Sequence, residues 1–348
     1  MGFIKARICL RQITNQNVSF YCLILNNINF GCMTISGFSF VKNGTKLYYP
    51  IKQSITSILP IVDEFVVAVG DCDDDDRTIE EIQSINSNKI KIINTVWDTN
   101  KFPNGMENAH QTDIAKSYCK GDWLFYLQAD EVCHEQDLDK ILKRCEELYD
   151  NKEVEGLLFN YYHFWGDYWH YHKSHSWYAK EIRIIRNDPD IHSWESAQSF
   201  RRIPNFDGIH YRQRENTFKL KVAPVDAYIY HYGWVRPPEF MQKKSKSLDS
   251  IHKGNEVVEE LYKQKPAYFD YGYMGGLKKF NGTHPQVMQE VIDKFSWGEK
   301  LNYTNKDTTN SFKHNKLRNK ILSFIENNIF GGEQIFGFRN WKKLKNIS

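Results

Sequence analysis

The sequence has little net charge, few cysteines and no long apolar run. Its formal charge is +3, from 46 basic and 43 acidic side chains among 348 residues. This balance gives no global attraction to nucleic acid, so a nucleic-acid partner is not expected. The seven cysteines form no C-x-x-C pair and leave one over after any pairing. That pattern argues against a zinc module or a disulfide framework and favours reduced thiols in a cytoplasmic protein.

Long apolar segments are also missing. The most apolar stretch near the N-terminus, residues 18–25, is too short to span a bilayer, and polar residues follow it before any small-residue cleavage site. Neither a membrane span nor a secretory signal is therefore expected. The length and the 41% hydrophobic content suffice for one large α/β domain or two small ones.

What the chain does contain, from residue 33 onward, is an alternation of strand and helix patterns. Helix patterns at 51–59, at 78–82 and at 110–119 separate strand patterns at 34–41, 64–70, 89–96 and 122–127. This alternation predicts an α/β fold with a mostly parallel central sheet flanked by helices. In such sheets, ligands bind beyond the carboxyl ends of the strands.

The fourth strand ends in Gln128-Ala129-Asp130-Glu131. A carboxylate there can hold Mg²⁺ or Mn²⁺, which would neutralise a departing diphosphate. We predict Asp130 as the metal ligand. The alternative is a helix N-terminus, where acids are also favoured, because a helical pattern follows at 135–149. The motif alone leaves the two interpretations evenly balanced.

The second strand runs into Asp71-Cys72-Asp73-Asp74-Asp75-Asp76. Asp71 and Asp73 come first after the strand, where the base or ribose of a nucleotide would lie in an α/β fold. We predict donor contacts for these two residues. For residues 74–76 an exposed acidic turn that caps the following helix is the favoured interpretation.

Two later residues are candidates for chemistry. His231 follows a strand pattern, and a neutral imidazole there would complete a metal site begun by Asp130. A hydrogen-bonded structural histidine is the commoner role. Glu195 lies between an aromatic, His-rich loop at 164–178 and His231, and it is the candidate general base for an acceptor hydroxyl. A surface carboxylate is the alternative for Glu195.

Other side chains allow two interpretations each. The aromatic residues of the loop would stack on sugar rings or fill the core. The arginines near it would contact a diphosphate or lie in solvent at strand edges. The residues concerned are Trp165, Tyr168, Trp169 and Trp177 for the first group and Arg183, Arg186, Arg201 and Arg202 for the second.

In order and spacing, four motifs resemble those of family 2-type glycosyltransferases of the GT-A fold, over residues 33–291. They are Ile35-Ser36-Gly37-Phe38-Ser39-Phe40-Val41-Lys42-Asn43, Val69-Gly70-Asp71, Phe125-Tyr126-Leu127-Gln128-Ala129-Asp130-Glu131-Val132 and His231-Tyr232-Gly233-Trp234-Val235. The resemblance implies a nucleotide-sugar donor contacted near Phe40, Asp71 and Gln128, and a divalent cation at Asp130 with His231 facing it. Two departures stand out: Gln128 replaces the first Asp of the usual Asp-x-Asp, and Ser196 stands where an Asp is expected.

The expected function is therefore transfer of a sugar from a UDP- or GDP-sugar to a hydroxyl of a glycan, protein or lipid, with inversion. A non-catalytic carbohydrate-binding or scaffold protein and a nucleotidyltransferase on the same fold are the alternatives. The expected organisation is an N-terminal extension at 1–32, a GT-A domain at 33–300 and a basic helical tail at 301–348. The tail either packs on the domain or lies on a membrane surface, which would make the protein peripheral there.

Overall fold

The computed structural model describes residues 33–306, 312–335, 337, 339–345 and 347. The predicted extension at 1–32 lies outside the described residues. Within them, the strands are β1 (Ile35–Val41), β2 (Glu64–Val69), β3 (Ile90–Asn94), β4 (Trp123–Tyr126), β5 (Glu131–Cys133), β6 (Gly156–Trp165), β7 (His170–His172), β8 (Lys180–Arg186), β9 (Ile191–Trp194), β10 (Ser199–Arg202), β11 (Phe218–Trp234), β12 (Lys278–Lys279) and β13 (Trp341–Lys343).

The helices of the same residues are α1 (Ile51–Ile58), α2 (Thr78–Gln83), α3 (Met106–Ser117), α4 (Leu138–Glu147), α5 (Pro238–Lys253), α6 (Asn255–Lys263), α7 (Gln289–Asp293) and α8 (Leu317–Asn328). Short 3-10 helices occur at Glu135–Asp137, Gln286–Met288, Gly298–Lys300 and Lys313–Asn315. None of the helices described is long and apolar enough to cross a membrane.

The strands form one mixed sheet whose main path runs β3-β2-β1-β4-β8-β6-β11-β10-β9. The first four of these strands are parallel to one another. β8 runs antiparallel to both of its neighbours, β4 and β6. β6 therefore points the same way as β4, and β11 is parallel to β6. As a result, the carboxyl ends of β1, β4 and β11 lie at the same edge of the sheet.

Both faces of the parallel half are covered, as the apolar strand patterns predicted. On one face, side chains of α1, α2 and α4 pack against alternate residues of the strands, among them Phe65 and Val67. On the other face, α3 packs against the residues between them, such as Val66 and Ala68. Successive side chains of a strand point to opposite faces, and here each face has a core of its own. The predicted α/β class is confirmed.

A third core, rich in aromatic residues, is formed by the C-terminal ends of β6 and β11 and by later segments that pack against them. Trp165, Tyr168, Tyr230 and Tyr232 are almost fully buried in it, and Trp297 joins them from the C-terminal part of the chain. The core interpretation is therefore right for Trp165 and Tyr168. Trp169, in contrast, is 44% exposed.

A fully buried ion pair joins the start of β5 to the middle of β8. Two of the three guanidinium nitrogens of Arg183, Nε and Nη2, donate to the carboxylate of Glu131 at 2.7 Å, and neither side chain is exposed. The hydroxyl of Tyr161 and the backbone N–H of Gln128 also donate to this carboxylate. Glu131 begins a strand, and the residue that caps the following helix is His134, so the helix-cap interpretation is wrong for Glu131.

The C-terminal segment contains a helix and a strand. α8 lies against the loop that follows β7, and β13 pairs in parallel with β11 at residues 220–222. Arg201 is tied to this segment through the carbonyl and the side chain of Asn340. The division of the chain at residue 300 stays a prediction.

Replacing Glu131 by Ala is expected to destabilise the protein by about 3–5 kcal/mol, because it leaves the guanidinium of Arg183 buried without its partner. Urea unfolding measures the change. The double variant Glu131→Met, Arg183→Met should recover much of the loss, since replacing both charges by apolar side chains removes the unpaired charge. Glu147→Ala, at an exposed pair with Arg144, is the control and should cost no more than about 1 kcal/mol. If Glu131→Ala loses no more stability than Glu147→Ala, the assignment of a buried ion pair between Glu131 and Arg183 is contradicted.

Candidate functional site

A cavity of about 520 Å³ opens at the edge of the sheet where β1, β4 and β11 end. Its walls come from segments that are far apart in the sequence. The cavity is formed by residues that follow β1 and β4, by the end of β11, and by the side of α5 that faces these segments. The lining includes Phe40, Lys42, Asn43, Tyr49, Trp97, Gln128, Ala129, Asp130, Ser196, His231, Trp234, Lys244, Ser245, Ser247, Leu248 and His252.

Asp130 belongs to the lining of this cavity and is 5% exposed. The ammonium of Lys244, from α5, donates to Oδ2 of Asp130 at 2.9 Å and to the carbonyl of Gly233 at 2.6 Å. Burial opposes the charge of Asp130, but the nearby cations Lys244 and Arg236 hold the pKa of this carboxyl well below its usual range. Burial and the nearby Arg236 lower the pKa of Lys244 to about 8 against the attraction of Asp130. Both groups are therefore charged at neutral pH.

Arg236 adds a second cation behind the carboxylate. Its Nη2 lies 4.0 Å from Oδ2 of Asp130, its Nη1 donates to the carbonyl of Leu47, and its guanidinium lies over the ring of Tyr49. The Nε and Nη2 atoms of this fully buried side chain have no hydrogen-bond partner among the described residues. Asp130 thus faces two buried cations, which leaves the cluster with a net positive charge.

His231 presents a lone pair to Asp130, and its hydrogen bonds decide the tautomer. Nε2 of His163 lies 2.7 Å from the carbonyl of Tyr178, which only accepts, so Nε2 of His163 carries the proton. Nδ1 of His163 then accepts from Nδ1 of His231 at 3.0 Å. This leaves Nε2 of His231 unprotonated, 3.7 Å from Oδ1 of Asp130. Burial lowers the pKa of both imidazoles, so both are neutral.

Phe40 and Trp97 form an aromatic wall of the cavity, with ring centroids 6.0 Å apart. Asp71 lies behind this wall and holds it in place. It accepts from the backbone N–H of Trp97 at 2.9 Å and pairs with Lys42 at 2.8 Å, and Lys42 also lies over the Trp97 ring. Partial burial works against ionisation, but these donors lower the pKa of Asp71. The predicted donor contacts of Phe40 and Asp71 stay predictions, with Phe40 in the lining and Asp71 next to it.

The other acids of the run after β2 lie away from the cavity. Asp73 pairs with Lys46, which also binds Asp75. Asp76 is 7% exposed and accepts from the hydroxyl of Thr45 and the backbone N–H of Lys46 and Thr78. The expectation of an exposed acid is therefore wrong for Asp76, because that carboxylate ties the turn after β1 to the start of α2.

The same turn bears on the nucleotidyltransferase alternative, which needs free backbone N–H groups to bind a triphosphate. Here the N–H of Asn43 donates to the thiol of Cys72, that of Gly44 to the hydroxyl of Thr78, and that of Lys46 to Asp76. These groups are used within the protein, so the turn does not form a phosphate cradle.

Gln128 lines the cavity, and its side-chain amide donates to the carbonyl of Ala197 at 3.1 Å. Glu195 lies in the turn between β9 and β10, with a φ of +57°. Its carboxylate pairs with Arg214 at 2.8 Å. Its neighbour Ser196 lines the cavity near His252. The roles predicted for Gln128 and Glu195 remain predictions.

The four arginines considered for diphosphate contacts are held elsewhere. Arg183 pairs with Glu131, and Arg186 stacks on Trp123 and donates to backbone carbonyls. Arg201 stacks on Trp194, and Arg202 pairs with Glu155 and Asp188. The phosphate interpretation is therefore wrong for all four. The cations that do line or back the cavity are Lys42, Lys244 and Arg236, and none was predicted.

Arg236, Lys244 and the neutral His163 were not predicted, and the sequence signal for each of them is weak. Arg236 directly follows the motif that ends at Val235. Lys244 is one of several lysines in α5 and differs from its exposed neighbour Lys243 only by facing the cavity. His163 lies in a strand pattern, where its pairing with His231 depends on the parallel register of β6 and β11.

A divalent cation was predicted at Asp130 and His231, and the side chains around them test its fit. No group of three or more His, Cys, Asp or Glu able to hold a metal occurs in the part of the chain that the structure describes. The single carboxylate already binds the ammonium of Lys244, with Arg236 close by, and a dication here would meet two like charges. In this arrangement the residues do not fit the ion. Ligation by Asp130 and His231 stays a prediction.

Comparisons with known proteins give low similarity. No protein-family model matches the chain, and no curated protein matches it. Among solved structures, TarS 1–349 of S. aureus in complex with UDP-GlcNAc is 16% identical with a TM-score of 0.35, over 66% of this chain and 70% of that one.

Two further solved structures cover less of the chain. Mannosyl-3-phosphoglycerate synthase from Rubrobacter xylanophilus is 17% identical with a TM-score of 0.27, over 38% of this chain and 41% of that one. Glucosyl-3-phosphoglycerate synthase from Mycobacterium tuberculosis, in complex with Mn²⁺, UDP and phosphoglyceric acid, is 15% identical with a TM-score of 0.26, over 38% and 43%. Similarity at this level says nothing about the residues of the cavity.

Because Gly233 has no side chain, Asp130 and His231 have room to lie next to each other beside it. A Cβ at this position would lie 2.4 Å from Nε2 of His231 and 2.9 Å from Oδ2 of Asp130. Gly233→Ala is therefore expected to lower stability by about 1–3 kcal/mol in urea unfolding. Gly276→Ala, whose Cβ would come no closer than 3.7 Å to other atoms, is the control. Equal stability of the two variants would contradict the described packing.

Proposed function

We propose that this chain is a glycosyltransferase that moves a sugar from a nucleoside-diphosphate sugar to an acceptor hydroxyl, with inversion. One observation carries the proposal. Three motifs that resemble family 2-type glycosyltransferases, at Phe40, at Gln128-Ala129-Asp130 and at His231, border the same cavity although about 90 and 100 residues separate them. The cavity lies at the carboxyl edge of a largely parallel set of strands, where such folds bind ligands.

The donor's nucleoside is assigned to the wall made by Phe40 and Trp97. Aromatic side chains stack well on a nucleobase, and Asp71 fixes Trp97 by its backbone. Lys42 lies at the same wall, where its ammonium is placed to meet the first phosphate or the ribose.

The departing diphosphate is assigned to Lys244. Charge develops on the diphosphate as the bond to the sugar breaks, and a fixed cation in a buried site stabilises that charge strongly. Lys244 is held in place by Asp130 and the carbonyl of Gly233, and Arg236 keeps the cluster positive. In this proposal Asp130 positions Lys244, and no step depends on a metal ion.

For the acceptor side, Glu195 remains the proposed general base. Its neighbour Ser196 borders the cavity, and a change in the pairing with Arg214 would turn the carboxylate toward an acceptor hydroxyl. His252 is the second candidate, because its imidazole lies in the cavity lining near Ser196. The acceptor itself is proposed to be a glycan, protein or lipid hydroxyl.

Donor turnover tests the enzyme proposal. The full chain is incubated with UDP- and GDP-sugars, with and without a chelator, and the nucleoside diphosphate released is measured. The wild type should turn over at least one donor, and the chelator should leave the rate unchanged. Lys244→Met should lower kcat by about 10²-fold or more, whereas Lys243→Met, at the exposed neighbour, should not.

Two results would contradict this account. If the wild type turns over no donor, the enzyme proposal fails and a carbohydrate-binding protein becomes the better hypothesis. If the chelator abolishes turnover and Mn²⁺ restores it, the prediction of a metal at Asp130 and His231 replaces the assignment of Lys244. Thermal unfolding of each variant separates a loss of function from a loss of folding.

A second experiment identifies the base. Glu195→Gln should lower kcat for transfer by about 10²-fold with little change in donor KM, because a base acts only when the acceptor reacts. Glu215→Gln, a neighbouring exposed carboxylate, is the control. Wild-type kcat in Glu195→Gln together with a loss in His252→Gln would assign the base to His252 instead.

A further inference from the structure

Helix α8 packs on the domain with its polar side. Ser323 accepts from the backbone N–H of His175 at 2.8 Å, and Glu326, 3% exposed, accepts from Nδ1 of the same histidine at 2.7 Å. Asn327 donates to the carbonyl of Lys173, and Asn319 reaches the hydroxyl of Ser176. The polar residues of this amphipathic helix thus face the protein, the reverse of the usual arrangement.

The apolar side of α8 faces solvent. Leu317, Ile321 and Phe324 occupy one stripe at helical spacing and are 73%, 52% and 66% exposed. Ile329 and Phe330 follow directly after the helix and are 67% and 48% exposed. Five large, exposed apolar side chains within fourteen residues are unusual for a chain in water, and an exposed apolar patch marks an interaction site.

Charge indicates what the stripe binds. Arg318 and Lys320 flank it on either side of the helix, and Lys313 and Lys316 precede it; all four are exposed. Residues 312–332 contain one acid, Glu326, and its carboxylate is buried against His175. An exposed apolar stripe with cations on its flanks and no exposed acid is the pattern of a helix that lies in the interface of an anionic bilayer. Two copies of this chain joined by this face would bring like charges together.

We propose that α8 and the residues up to Phe330 bind the surface of anionic lipid membranes, with Leu317, Ile321 and Phe324 inserted among the lipids. The lysines and arginine at the flanks bind the headgroups. The proposal is independent of the proposed enzyme activity, because no residue of α8 lines the cavity.

Vesicle flotation of the full chain tests the proposal. Vesicles of phosphatidylcholine with phosphatidylserine should bind the protein at least about tenfold better than vesicles of phosphatidylcholine alone. The double variant Ile321→Ser, Phe324→Ser should lose at least about tenfold of this binding. Arg318→Gln with Lys320→Gln should lower binding to the anionic vesicles and make it less sensitive to salt.

Val257→Ser is the matched control, since this side chain is 59% exposed on α6, and its binding should equal that of the wild type. All substituted side chains are exposed, and circular dichroism and thermal unfolding verify that each variant folds. Equal binding to both vesicle types, or none to either, would overturn the proposal. So would a dimer in sedimentation that is lost in Ile321→Ser, Phe324→Ser, because the stripe would then be covered by a second copy.

Discussion

The site depends on the buried ion pair between Glu131 and Arg183. Two bonds from the guanidinium fix the carboxylate of Glu131, which in turn accepts the backbone N–H of Gln128. The short segment from 128 to 131 is thereby closed into a tight turn. Asp130 projects from this turn toward α5, where Lys244 meets it. A rigid anchor of this kind holds a reactive geometry better than a loop without side-chain support.

The parallel register of β6 and β11 supplies the other half of the arrangement. It sets His163 beside His231, and the carbonyl of Tyr178 determines which nitrogen of each ring carries the proton. The chain of hydrogen bonds ends in a lone pair that points at Asp130. The hydrogen bonds of both His163 nitrogens and of Nδ1 of His231 fix the orientation of the two buried rings, which support the cavity wall.

The sequence predicted the strands and helices between residues 33 and 130 well, because each has a clear apolar period and a turn at its end. It also indicated Phe40, Gln128, Asp130 and His231, which all prove to line one cavity. The sequence did not predict the role of side chains whose contacts lie far away in the chain. Whether Arg183 binds phosphate or Glu131, and whether Asp76 lies in solvent or under a turn, is decided by long-range packing that a local pattern does not contain.

The charge of the site illustrates the same limit. A carboxylate at a strand end suggests a metal ligand, and that inference is sound for the isolated motif. The structure adds Lys244 from a helix more than 100 residues later, and its ammonium binds the same carboxylate that the motif offers to a metal ion. The local sequence does not indicate this role of Lys244, because it depends on how α5 packs over the edge of the sheet.

Hydrogen–deuterium exchange of the full chain, measured with and without UDP- and GDP-sugars, determines whether three distant segments form one donor site. If these segments form one donor site, the bound sugar nucleotide should slow exchange at residues 40–43, 128–130 and 231–236 and in the turns of α5 that line the cavity. The same protection should occur in the presence of a chelator. Protection confined to other parts of the chain, or protection that appears only when a divalent cation is added, would contradict the account.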